Sequence, residues 1–184
     1  MGRIVSLDEA ETLVREARAR GSRVALANGC FDLLHVGHVR YLEGAKSAAD
    51  LLIVGVNADR SVAALKGAGR PILGERDRAE LVAALEAVDL VVVFEGDTVG
   101  PLIERLRPDV HCKGTDYTAD TVPERNVMRS MGGATRIVGD PKDHSTRDLL
   151  ARIRERFGPA SALRASARPR RRPSEGGPDA GRKP

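Results

Sequence analysis

Two histidines three positions apart, His35 and His38, are the residues of this chain whose type and spacing best suit chemistry. Gly37 stands between them, an apolar, β-prone segment (residues 23–27) precedes them, and apolar residues at helical spacing follow them. They are therefore predicted at a strand-to-helix turn. A helix start presents unpaired N–H groups and the positive end of the helix dipole, which together favour an anion. With two imidazoles and a glycine that lacks a Cβ, the turn is predicted to hold phosphate.

Other interpretations of the histidine pair stay open at this point. His-x-x-His spacing also occurs in zinc sites, but zinc normally takes three or four protein ligands, and neither Cys30 nor Cys112 belongs to a Cys-x-x-Cys pair. Two structural histidines would also fit the spacing. The choice between these interpretations depends on whether other segments of the chain also supply phosphate-binding residues.

Alternating strand and helix patterns surround this turn. Near-continuous apolar strands separated by amphipathic helices indicate a parallel sheet covered on both faces, and right-handed crossovers then give a Rossmann-like, doubly wound α/β domain with five strands. We expect it to span residues 1–157, including an N-terminal helix at 6–20 capped by Ser6 or Asp8. The predicted strands are 23–27, 51–57, 89–94, 109–112 and 135–138, and the other predicted helices are 38–48, 75–87, 98–107, 122–131 and 145–157.

Polar segments follow several of these strands, where ligands of such sheets bind. They occupy residues 57–60 with 65–71, 113–117 and 139–148. Each has a structural and a functional interpretation. Lys66 beside Gly67 is either a surface lysine or part of a mobile loop that closes on a triphosphate. Ser145 and Thr146 are expected to cap the last helix, which does not exclude phosphate contact at the same place, and Asp59 and Asp116 either cap turns or hold ligand and Mg²⁺.

Other nucleotide-binding and hydrolase signatures are missing from the sequence. No Gly-x-Gly-x-x-Gly follows the first strand, no Gly-x-x-x-x-Gly-Lys-[Ser/Thr] is present, and there is no Gly-x-Ser-x-Gly elbow. These absences weaken dinucleotide binding and exclude the P-loop class. The phosphate site must therefore be built in another way.

Composition bounds the class of protein further. No run of about eighteen apolar residues and no signal-peptide core is present, and the two cysteines imply no disulfide framework, so we expect a cytoplasmic protein without a membrane span. The net charge of +4 comes from residues 158–184, which hold seven basic and two acidic residues, whereas residues 1–157 hold 23 basic and 24 acidic ones. This Pro-, Gly- and Arg-rich tail is predicted to be disordered, and the near-neutral remainder argues against nucleic acid as a partner.

Several of these segments together resemble the motifs of a known protein family. The stretch Gly29-Cys-Phe-Asp-Leu-Leu-His-Val-Gly-His38 closely resembles the signature of the cytidylyltransferase-like nucleotidyltransferases. The resemblance covers residues 24 to 153, and the later motifs follow in the family's order. They are Lys66-Gly with Arg70-Pro71, Arg78, Ala87-Val-Asp89, Lys113-Gly-Thr-Asp-Tyr117 and Ser145-Thr146.

Within the family, the chain is most similar to the adenylyltransferase domains of the lipopolysaccharide heptose pathway. This implies transfer of AMP from ATP to D-glycero-β-D-manno-heptose 1-phosphate, giving ADP-heptose and pyrophosphate by in-line attack. Glycerol-3-phosphate cytidylyltransferases, the alternative within the family, usually have Arg-Tyr-Val-Asp-Glu where this chain has Glu86-Ala-Val-Asp-Leu90. Arg147 departs from the second Thr or Ser that relatives often carry. Further alternatives are a non-catalytic nucleotide sensor and a tail-mediated RNA-binding protein.

The resemblance also implies roles for individual residues and partners. Mg²⁺ is expected to enter with ATP, held by phosphates and water and not by a protein cage. The sugar 1-phosphate would come from a separate kinase, and the resemblance also suggests a homodimer. The implied catalytic residues are His35, His38 and Lys66; the implied nucleotide-binding residues are Gly29, Cys30, Phe31, Gly37, Lys113, Asp116, Ser145 and Thr146; and the implied substrate-binding or supporting residues are Asp32, Asp59, Arg70 and Arg78.

Overall fold

Six strands form one parallel sheet in the computed structural model, which describes residues 1–141 and 144–158. The order across the sheet is β1-β4-β3-β2-β5-β6, and neighbouring strands pair in parallel. The predicted Rossmann-like, doubly wound α/β class is confirmed. The strands are β1 Arg3–Ile4, β2 Val24–Gly29, β3 Leu51–Asn57, β4 Leu90–Phe94, β5 Val110–Lys113 and β6 Ala134–Ile137.

The predicted strand number of five was wrong by one. Strand β1 has two residues and pairs with β4 at the edge of the sheet, with Arg3 opposite Leu90 and Ile4 opposite Val91. A two-residue strand cannot show an alternating pattern, because the side-chain period is itself two residues. No local signal for this strand was therefore present in the sequence.

Helices connect the strands, and those between residues 7 and 130 cover both faces of the sheet. Helix α1 begins after Ser6, whose side chain accepts from the Glu9 N–H in a capping box. Two predictions needed correction: helix α3 follows β3 directly and was not predicted, and helix α4 ends at Ala83 instead of residue 87. The helices are α1 Leu7–Ala19, α2 Val36–Lys46, α3 Asp59–Lys66, α4 Glu75–Ala83, α5 Gly100–Leu106, α6 Arg125–Ser130 and α7 Thr146–Phe157.

Two apolar clusters lie on the two faces of the sheet. Strand β2 serves both, because alternate side chains point to opposite faces: Ala25 and Ala27 belong to one cluster, and Val24 and Leu26 to the other. The first cluster is completed by α2 and α4, and the second by α1, α5 and α6. With few aromatic residues, both cores are packed mainly by Ala, Val, Leu and Ile.

Residues 1–146 form one compact unit, and the described residues 147–158 belong to a second unit. The predicted basic tail at 158–184 lies, apart from Gly158, outside the described residues, as do residues 142 and 143 of the predicted polar segment 139–148. None of the helices in the described part of the chain is both long enough and apolar enough to cross a membrane.

Candidate active site

The candidate site lies where the strand order reverses. Strand β2 pairs with β3 on one side and with β5 on the other. The chain leaves β2 toward β3 and β4 and later returns to the opposite side of β2 as β5. The carboxyl ends of β2 and β5 therefore flank a crevice of the kind in which doubly wound sheets bind ligands. The signature residues 29–38 run from the last residue of β2 into the first turn of α2.

His35 and His38 both lie at the beginning of α2, with His35 as the N-cap and His38 in the first turn. Their rings stack, with centroids 3.9 Å apart and planes inclined at 23°. The Phe31 ring lies 5.2 Å from that of His38 and is buried, and its backbone has a left-handed φ of 48°. The predicted strand-to-helix turn thus brings the three rings together.

His38 is a neutral donor in this arrangement. Burial, assisted by the neighbouring His35, lowers the pKa of His38 from 6.5 to about 4, so its imidazole is uncharged at neutral pH. The His35 backbone N–H donates to His38 Nδ1 over 3.4 Å, which leaves the ring proton on Nε2. The first turn of α2 contains no acidic residue to compete for the N–H groups. The start of α2 therefore offers an N–H of His38 and the positive end of a helix dipole, both of which suit an anion.

Gly37 lets the histidine rings and the chain after β6 approach closely. A Cβ at this position would lie 3.1 Å from His35 Cε1 and Nδ1 and 3.5 Å from His144 Cβ. The segment that carries the half-buried Ser145 and Thr146 therefore runs beside the start of α2 at His144. An ion pair of 2.7 Å between Arg40 and Asp140 holds the same segment to α2.

Asp32 fixes the loop before α4 to the signature stretch. Its carboxylate is 2% exposed, accepts the N–H groups of Ile72 (2.7 Å) and Leu73 (3.0 Å) through Oδ1, and lies 2.6 Å from Arg70 Nε through Oδ2. Asp32 and Arg70 were expected to bind substrate or to support the site. Their contacts within the protein are those of supporting residues.

Arg78 clamps three segments from a fully buried position on α4. Its guanidinium donates to Leu73 O (3.0 Å), Cys30 O (2.6 Å) and Asp59 Oδ1 (2.7 Å). The signature stretch, the loop before α4 and the beginning of α3 are thereby held together. Asp59 and Arg78, predicted as substrate-binding or supporting residues, are thus paired with each other.

Lys66 ends helix α3 and is exposed beside the signature stretch. Its charge opposes the effect of burial, which is the larger cause and raises the pKa of the Cys30 thiol. Gly67 and Gly69 follow with φ angles of 86° and 81°, a region that glycine adopts without strain. Lys66 therefore immediately precedes a glycine-rich loop, and its charge acts on Cys30 of the signature stretch.

Lys113 is the last residue of β5, and Asp116 lies three residues later in the chain. The two residues differ in exposure. Lys113 is 8% exposed, and its ammonium lies 4.7 Å from the centroid of the Tyr117 ring. Burial lowers the pKa of Lys113, and Glu124 and Cys30 oppose this shift. Asp116 is exposed in the turn that follows.

Gly29, which was also predicted as a site residue, packs closely against Phe31, because a Cβ at this position would lie 3.1 Å from the Phe31 ring.

Three residues at this end of the sheet were not predicted as site residues. Tyr41 of α2 donates to Cys112 O (2.7 Å) and accepts the Asn28 N–H (3.3 Å), which bridges β5 and β2. His111 lies 3.1 Å from Asn28 Oδ1 through Nε2. A histidine and a lysine two positions apart in a short strand share one face of the sheet. This pattern at positions 111 and 113 was the sequence signal that could have identified His111 as a site residue.

Metal binding by the protein alone finds no support in the described residues. Within 1–141 and 144–158, no group of three or more His, Cys, Asp or Glu side chains could hold a metal ion. Asp32 of the signature stretch is paired with Arg70, and Asp59 of α3 with Arg78.

Comparisons with known proteins agree with this geometry. The family model described as Cytidylyltransferase-like matches residues 26–156. The Bifunctional protein HldE of Geotalea uraniireducens is 47% identical over 152 residues, covering 83% of this chain and 31% of that protein. HldE of Nitrobacter hamburgensis is 48% identical over 147 residues, covering 80% and 30%. The chain therefore spans about a third of the length of these relatives.

A solved structure gives the same result for the fold. The crystal structure of the lipopolysaccharide core biosynthesis protein from Thermoplasma volcanium GSS1 superposes with a TM-score of 0.52 at 31% sequence identity. The match covers 64% of this chain and 94% of that one.

Proposed function

We propose, since the chain belongs to the cytidylyltransferase-like family of nucleotidyltransferases, that it transfers AMP from ATP to D-glycero-β-D-manno-heptose 1-phosphate. The observation that carries this proposal is the stacked histidine pair at the start of α2, with a neutral His38 that keeps its proton on Nε2. The choice of a heptose phosphate is supported by the motif resemblance, and the similar Thermoplasma volcanium protein is described as one of lipopolysaccharide core biosynthesis.

The reaction needs one bond to form and one to break. A phosphate oxygen of the sugar 1-phosphate attacks the α-phosphorus of ATP, and the bond from that phosphorus to the oxygen bridging the α- and β-phosphates breaks. Pyrophosphate leaves with the electron pair of that bond, and no covalent enzyme intermediate forms. Catalysis then consists of alignment and stabilisation of charge on the phosphoryl oxygens.

The residues of the chain divide this work according to their positions. His38 donates through Nε2 to a phosphoryl oxygen, and the helix start binds the triphosphate together with His35. Lys66 supplies positive charge from the end of α3, and Ser145 and Thr146 add polar contacts from the segment beside His144. Mg²⁺, bound through the phosphates, would neutralise part of the triphosphate charge. Asp32 and Arg78 act indirectly by holding the signature stretch and its neighbouring loops.

A substrate matrix tests this proposal. The full-length protein is incubated with ATP or CTP and with heptose 1-phosphate, glycerol 3-phosphate or phosphoethanolamine, and pyrophosphate release is measured. We expect release with ATP and heptose 1-phosphate, with ADP-heptose as the second product. Turnover only with CTP and glycerol 3-phosphate would replace the proposal by the cytidylyltransferase alternative. Nucleotide binding without turnover in any combination would favour a sensor.

A further inference from the structure

The Asn28 carboxamide has one orientation that its neighbours permit. Asn28 Oδ1 lies 3.1 Å from His111 Nε2 and 3.4 Å from Lys113 Nζ. An ammonium can only donate hydrogen bonds, so the amide atom that faces Lys113 must be the oxygen. The amide NH₂ group is therefore turned away from both neighbours.

His111 fixes the orientation of the Asn28 amide through its contact with Oδ1. Its side chain is fully buried, and burial, together with the charge of Lys113, lowers the pKa of His111 to about 3. The neutral ring must carry its proton on Nε2 in order to donate to the Asn28 oxygen, which leaves Nδ1 as an acceptor. Within the described residues, that buried Nδ1 has no hydrogen-bond partner. An unsatisfied buried nitrogen costs stability, so a purely structural role does not account for a histidine at this position.

The NH₂ group of Asn28 stands near the carboxyl end of β2, where β2 pairs with β5. Asn28 is half-buried, and no protein acceptor for its amide nitrogen is found in residues 1–141 and 144–158. The Lys113 ammonium lies next to it at the same end of the sheet. An amide donor beside a lysine suits an anionic oxygen better than an uncharged group.

We propose that Asn28 is a substrate-binding residue whose amide donates to a phosphate oxygen, and that His111 is the positioning residue that orients it. The juxtaposition of Asn28, His111 and Lys113 at the strand-order reversal carries this inference. It rests on the proposed function, because the phosphate belongs either to ATP or to the sugar phosphate. Binding measured separately for the two ligands distinguishes these sources.

Asn28→Asp is the most direct variant. It keeps an oxygen for His111 and Lys113 but replaces the NH₂ donor by a negatively charged oxygen. Affinity is measured by calorimetry for ATP, and for heptose 1-phosphate in the presence of a non-hydrolysable ATP analogue. We expect one of the two affinities to fall about tenfold or more, as for the loss of a hydrogen bond to a charged group. Asn126→Asp, on the exposed surface of α6, is the matched control and should leave both affinities unchanged.

Two variants of His111 test positioning. His111→Leu removes the donor together with the unsatisfied Nδ1, so we expect a melting temperature equal to or above that of the wild type, but weaker binding of the same ligand. His111→Gln retains a donor at a similar reach and should restore binding. A structural role predicts instead that stability and binding fall together in the leucine variant.

The outcomes separate this inference from the proposed function. Wild-type binding of both ligands without pyrophosphate release would contradict the proposed function and leave the Asn28 comparison valid. Wild-type affinity of Asn28→Asp for both ligands would overturn the assignment of Asn28. Unchanged binding in His111→Leu, or weakened binding that glutamine does not restore, would overturn the positioning role of His111.

Discussion

His38 and His111 are both held neutral by burial, which links the site to the pH dependence of stability. Their pKa values lie near 4 and 3, below the value of 6.5 for an unburied histidine. The unfolded chain therefore binds more protons than the folded chain as the pH falls below about 6.5. The stabilisation is fully present above that pH and is lost as the pH falls toward the folded pKa values.

This linkage gives a prediction for His111. The free energy of unfolding should decrease as the pH is lowered from about 7 toward about 4, with His111 contributing up to about 1.4 kcal/mol per pH unit. The comparison is urea denaturation at several pH values for the wild type and His111→Leu. The leucine variant should lose less stability over this range. Parallel curves for the two proteins would show that His111 is not held neutral in the fold.

Gly37 gives a second prediction at the scale of the residue. An alanine Cβ would lie 3.1 Å from the His35 ring, so the stacked pair must shift, although alanine favours a helix by about 1 kcal/mol over glycine. We expect Gly37→Ala to lower turnover by about tenfold to a hundredfold with little change in melting temperature. Gly100→Ala is the control, because its Cβ would meet nothing nearer than Thr98 Oγ1 at 3.4 Å. Normal turnover in Gly37→Ala would argue against a catalytic role for this ring geometry.

At the scale of the elements, Arg78 joins α4, α3 and the signature stretch. Arg78→Met keeps the length of the buried stem and leaves Cys30 O, Leu73 O and Asp59 without their donor. We expect a loss of about 2–4 kcal/mol in the free energy of unfolding and a higher KM for ATP. Arg76→Met, on the exposed side of the same helix, should change neither quantity by much. Equal effects of the two substitutions would contradict the clamp.

The elements show which parts of the fold were predictable. The long apolar strands and the helix after the histidines were recognisable, because their periodicity and turn residues are local. Strand β1 was missed because two residues carry no period, and α3 because its helical pattern is short and follows β3 without a break. The clamp of Arg78 was not predictable, since its partners Cys30 and Asp59 are 48 and 19 positions away.

In the site too, the features that depend on nearby residues in the sequence were predictable, and those that depend on contacts between distant residues were not. His35, Gly37 and His38 were predicted from spacing within four residues, and the structure places them together at α2. His111 lies between Val110 and Cys112 in a buried strand, where a sequence pattern indicates packing. Its contact with Asn28 depends on the pairing of β2 with β5, and only the assembled sheet reveals it.

At the scale of the whole molecule, the family motifs lie at both ends of the sheet, with structural contacts at the amino end and the proposed chemistry at the carboxyl end. Asp89, part of the family motif, accepts from Leu52 N (2.7 Å) and Lys46 Nζ (2.6 Å) at the amino ends of β3 and β4. Its contacts are structural and lie at the opposite end of the strands from His35 and His38. Family motifs in this chain therefore serve both the fold and the site, and the carboxyl end carries the proposed chemistry.

The most direct test of that chemistry is the rate of pyrophosphate release by His38→Ala and wild-type protein, with ATP, Mg²⁺ and heptose 1-phosphate at saturation. Removal of the Nε2 donor should lower turnover about a hundredfold or more, because one preorganised donor can contribute this much to transition-state stabilisation. Circular dichroism and the melting temperature should show that the variant is folded. Near-normal turnover in a folded His38→Ala protein would contradict the assignment of the histidine turn as the catalytic centre.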